Sequence, residues 1–81
     1  MNGVNKVRGA VYERFHSETE LAARLGWSRA RLSAFITGKR EPKTGDILEM
    51  AEAMGMLPGT LADLFLELRF QNRQHLHENE S

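Results

Sequence analysis

The chain has 81 residues, which leaves room for one domain, because a second core could not bury enough surface to offset the entropy of ordering it. There is no cysteine, which excludes disulfide staples and thiolate metal sites, and 41% of the residues are hydrophobic, enough for one modest packed core. Acidic and basic residues balance at 11 each, yet nine basic residues face four acidic ones through Lys43, whereas two face seven from Thr44 onward. Such a split lets one face approach an anionic partner while the other keeps the chain soluble. No apolar run approaches the ~20 residues that span a bilayer, so no membrane association is expected. The N-terminus lacks the features of an export signal, which points to the cytoplasm.

Val4, Val7, Val11 and Phe15 recur every three or four positions and predict a first helix. Ser17-Glu18-Thr19-Glu20 has the capping-box spacing, in which the serine oxygen accepts the Glu20 amide and the Glu20 carboxylate reaches back to the Ser17 amide. A second helix therefore starts there, carries Leu21, Ala22 and Leu25 on one stripe, and stops at Gly26. Ser28 is a natural N-cap for a third helix through Leu32, Phe35 and Ile36, which Gly38 ends. Lys39 to Lys43, with Pro42, reads as a basic loop. Thr44 is placed to cap a fourth helix bearing Ile47, Met50, Ala51 and Met54, closed by Gly55. Pro58 suits the first turn of a fifth helix with Leu61, Leu64, Phe65 and Leu68 on its apolar face. Residues 1–70 are thus expected to form one five-helix, all-α domain and residues 71–81 a polar, disordered tail.

The second and third helices are separated by a short glycine-bearing turn, the supersecondary unit that lets a helix protrude into a DNA major groove. That unit needs a small residue where the helices cross, here Ala22, a sharp reversal at Gly26, and Leu21, Leu25, Trp27, Leu32 and Phe35 facing inward. Trp27 is accordingly expected in the core rather than stacked on a base. The stretch SETELAARLGWSRARLSAFITGKREPKTGDILEMAEAMG, followed by LADLF, resembles the Cro and lambda-repressor superfamily of helix-turn-helix regulators, the XRE family, from about Val7 to Phe65. The chain departs from that pattern at Glu18, where many members carry a glutamine that bonds a phosphate, and in a longer segment Met56 to Thr60 before the fifth helix.

The resemblance implies that the first exposed turn of the third helix reads base edges, which here means Arg29, Ala30, Ser33 and Ala34. An arginine there can bond both major-groove acceptors of a guanine, whereas the two alanines offer only methyl contact, so DNA shape must supply part of any specificity. Ser28, Arg31, Thr37, Lys39, Arg40, Lys43 and Thr44 are implied phosphate contacts, joined by the amides and dipole of the fourth helix's first turn. Leu57, Leu61, Leu64, Phe65 and Leu68 are the expected homodimer interface, in which case paired reading helices roughly 34 Å apart would call for a near-palindromic operator.

Neither enzyme nor metal chemistry is expected. His75 and His77 lie two apart in a polar segment without a third ligand, and Gly38-Lys39 lacks the preceding glycine of a phosphate loop and follows a helix. No cofactor and no small-molecule substrate are expected, the carboxylates having cations nearby and the chain being too short to enclose a pocket. Two functions follow: a regulator binding double-stranded DNA in the cytoplasm, at the nucleoid, as a repressor of phage or mobile-element type, or a protein-interaction module that keeps the fold without DNA binding, for which Glu18, Ala30 and Ala34 are the motive.

Overall fold

A computed structural model describes the backbone of residues 4–80 and the side chains of residues 4–73. The expected all-α architecture is found: α1 Lys6–Arg14, α2 Glu18–Leu25, α3 Arg29–Ile36, α4 Thr44–Met54 and α5 Pro58–Glu80, with no strand among the described residues. None of these helices is long and apolar enough to cross a membrane.

The helix ends follow from local hydrogen bonding, not always through the atoms the sequence suggests. Asn5 caps α1, its Oδ1 accepting the Arg8 amide at 2.9 Å, so the helix begins after Val4, which is left 75% exposed. Ser17 Oγ accepts the Glu20 amide at 3.2 Å as expected, but the Glu20 carboxylate accepts from the His16 amide at 2.8 Å instead of from Ser17. Ser17 is fully extended, and it is the preceding amide that comes within reach. Gly26 ends α2 at φ 74°, a left-handed conformation that a Cβ would strain. Ser28 then caps α3, its Oγ accepting the Arg31 amide at 3.1 Å.

At α4 the expected cap is displaced by one residue. Thr44 is the first helical residue and Lys43 the N-cap, because Asp46, at the third position, supplies the acceptor from inside the helix by taking the Lys43 amide at 2.9 Å. An acidic group there also meets the positive end of the helix dipole.

The core draws on every helix: Val7 and Val11 from α1, Leu21 and Ala22 from α2, Leu32, Phe35 and Ile36 from α3, Met50, Ala51 and Met54 from α4, and Leu61, Phe65 and Leu68 from α5. α1 packs on α2 and α5, α2 on α3 and α4, and α4 on α5, so α2, on which α3 rests, is held from behind by α1 and α4. Each fully buried Leu, Ile or Phe contributes about 1.5–3 kcal/mol relative to its exposed state, and packing alone must hold a chain without cysteine.

Composition predicts a polar tail from Gln71, whereas α5 runs on to Glu80. No glycine or proline interrupts that stretch, and the helix is tied to the body just before and after Phe70: Arg69 pairs with Glu41, and Asn72 Nδ2 donates to the Thr37 carbonyl at 3.4 Å. Gly38, at φ 81°, makes room for this contact, since a Cβ there would run into the Asn72 amide. The side chains of His75 and His77 lie outside the described residues.

Candidate nucleic-acid interface

α3 is buried along one side and open along the other. Leu32, Phe35 and Ile36 are completely enclosed, while Arg29 and Ala30 are exposed and Ser33 and Ala34 half-exposed. Residues three and four apart share a helix face, so these four, the implied base readers, form one accessible stripe opposite the core. Arg29 forms no salt bridge among the described residues, which leaves its guanidinium fork available to a ligand.

Trp27 packs as expected, half-buried and edge-to-face with Phe35 at 5.6 Å between ring centres. Its other face carries Arg31, whose guanidinium carbon lies 4.1 Å from the ring centre and whose terminal nitrogen donates to Asp46 Oδ1 at 2.7 Å. This corrects the assignment of Arg31 to phosphate: its charge is matched by Asp46 and its plane rests on the indole, making it a strut between α3 and α4. Thr37 is corrected likewise. Its hydroxyl donates to the Ser33 carbonyl at 2.8 Å and its amide to the same carbonyl at 2.9 Å, so neither donor is left for a phosphate oxygen.

The Lys43 amide, above all, and then the hydrogen bond and charge of Arg31 and the charge of Arg40 hold the Asp46 carboxyl below its usual value, with burial opposing them. A carboxylate with a depressed native pKa stabilises the fold above its unfolded value, and that stability is lost as pH falls through the native value. The stability gap between the protein and Asp46→Asn, measured by urea unfolding, is therefore expected to be widest near neutral pH, at about 1 kcal/mol for a lost charged cap, and to close below about pH 4. A gap that stays constant down to pH 2 would rule out this linkage.

The remaining implied phosphate contacts, Ser28, Lys39, Arg40, Lys43 and Thr44, are all exposed. The Arg40 amide donates to the Ala34 carbonyl at 3.0 Å and its guanidinium lies 5.3 Å from the Phe35 ring centre, which pins the basic loop to the end of α3. Between this loop and α5 runs an open groove of about 420 Å³ floored by Phe35, Ile47, Phe65 and Leu68, wider than the chain length suggests.

Two contacts escape sequence reasoning. Glu18 is buried, with Arg8 Nε 3.3 Å from its Oε2, so the carboxylate that stands where many members carry a phosphate-bonding glutamine is paired inside the subunit, in the first turn of α2. Asn5, besides capping α1, donates from Nδ2 to the Ile36 carbonyl at 2.8 Å and so secures the end of α3. Both join separate elements of the fold, and no local spacing signals them.

The expected dimer residues need the largest correction. Leu61, Phe65 and Leu68 belong to the subunit's own core, and Leu64 is partly buried against it, because their three- and four-residue spacing puts them on the inward face of α5. Only Leu57, at 74% exposure, is fully open to a partner.

Two short helices joined by the turn Gly26–Ser28, the second presenting an open stripe beside an exposed basic loop, define a helix-turn-helix DNA-binding domain. A family model described as a helix-turn-helix domain matches residues 8–65, more than half of the chain, and the protein belongs to that family. No match was found among curated proteins or among solved structures.

Proposed function

We propose that the protein is a transcription regulator, acting as a repressor by occupying operator DNA as a homodimer. α3 enters the major groove with Arg29, Ala30, Ser33 and Ala34 toward the base edges. Ser28, Lys39, Arg40, Lys43, Thr44 and the first amides of α4 meet the flanking phosphates, and two copies read a near-palindromic site from the cytoplasm, at the nucleoid. The reading is carried by one observation: the stripe of α3 opposite its enclosed residues is open, and the loop after it displays Lys39, Arg40 and Lys43.

Selection from random duplexes, followed by titration of single-base variants of the selected site, tests the residue roles. Arg29→Ala is expected to relax preference at one base pair in each half-site, removing about 1–3 kcal/mol of discrimination at each, while Lys39→Ala weakens all sequences alike and, lost from both subunits, lowers the salt slope by about two. Equal loss on every sequence from Arg29→Ala would refute its reading role. The interaction-module reading keeps some support in Ala30 and Ala34, which offer no hydrogen-bond donor, and the salt response discussed below separates the two.

A further inference from the structure

α5 has a second apolar stripe. Opposite its core face, Leu66 and Phe70 are 59% and 58% exposed and lie four residues apart, hence on one side of the helix. Exposed Asp63 precedes Leu66 by three residues and exposed Arg73 follows Phe70 by three, and neither forms a salt bridge among the described residues. Acid, leucine, phenylalanine, base: reversed end to end about the level of Leu68, this order is its own complement.

We propose that this face is an antiparallel twofold interface between two copies of this chain, with Leu66 against the partner's Phe70 and Asp63 level with the partner's Arg73. A twofold contact must be self-complementary, and the two charges, about 15 Å apart along the axis at 1.5 Å per residue, satisfy that at both ends at once. Among the described residues the two flanking charges are answered within the subunit: Glu67 pairs with Lys6 at 2.7 Å and Arg69 with Glu41. Leu66, Arg69, Phe70 and Arg73 border a shallow hollow of about 350 Å³, which receives the partner's ring. The proposal rests on the homodimer of the preceding section and gives it a face, one that the core-facing leucines cannot provide.

Sedimentation equilibrium of the full chain without DNA tests it, with circular dichroism confirming that each variant stays helical. The protein is expected to dimerise, Asp63→Arg and Arg73→Asp each to weaken association about tenfold or more, and the two changes together to restore it. A dimer indifferent to both single reversals, failure of the double reversal to restore association, or a wild-type chain that stays monomeric because something other than its own copy covers the stripe would each overturn the proposal. Because no DNA is present, failure of operator binding leaves this outcome unaffected.

Discussion

Phe35→Ala is expected to cost about 3–5 kcal/mol, the range for deleting a fully enclosed aromatic side chain together with the cavity left behind. Phe35 is entirely buried, takes the edge-to-face contact of Trp27 on one side and the guanidinium of Arg40 on another, and floors the groove between the basic loop and α5. A domain of this size holds about 4–12 kcal/mol in total, so the loss consumes a large part of the margin. Urea unfolding should show the midpoint falling with little change in slope. Leu48→Ala, at a side chain that is 51% exposed on α4, should be near neutral by the same measurement. A loss under about 1 kcal/mol at Phe35 would mean that the reading helix is not seated as described.

The second large effect is ionic. If the open stripe of α3 and its basic loop lie on DNA, affinity for a selected duplex should fall by about 10³–10⁵ between 50 and 200 mM salt, as six to ten neutralised phosphates require. With Arg31 and Thr37 engaged inside the subunit, the phosphate contacts left are Ser28, Lys39, Arg40, Lys43 and Thr44 with the nearby amides. Only Lys39, Arg40 and Lys43 among these neutralise a phosphate, about six for a pair of subunits, so the slope is expected toward the lower end of that range. A flat response in fluorescence anisotropy would favour the interaction-module reading and remove the operator from the account.

Much of the fold is legible along the chain because its decisive signals are local. Ser17 and Ser28 cap, Gly26, Gly38 and Gly55 adopt positive φ where helices stop, and the spacing of Leu32, Phe35 and Ile36 fixes the buried side of α3 and thereby its open side. The contacts that sequence does not disclose are those between elements. Arg31 has the composition of a phosphate ligand and becomes a strut only because α4 brings Asp46 within 2.7 Å. Glu18 reads as a departure from the family's glutamine that argues against DNA binding until α1 places Arg8 beside it. On α5 the information is present in the spacing, since Leu61, Phe65 and Leu68 share one face and Leu66 and Phe70 the opposite one, but assigning the first three to the core stripe and to the interface at once leaves the second face unread.

Two asparagines far apart in the chain, Asn5 and Asn72, donate to the consecutive carbonyls of Ile36 and Thr37, where α3 runs out of its own hydrogen-bond partners. The second helix of the helix-turn-helix is thus clasped at its exit by the residue that caps α1 and by one on α5. A growing chain leaving the ribosome completes that clasp only when α5 has emerged, so an excised helix-turn-helix fragment lacks both latches, and a chain cut short before Asn72 folds α3 with one of them missing.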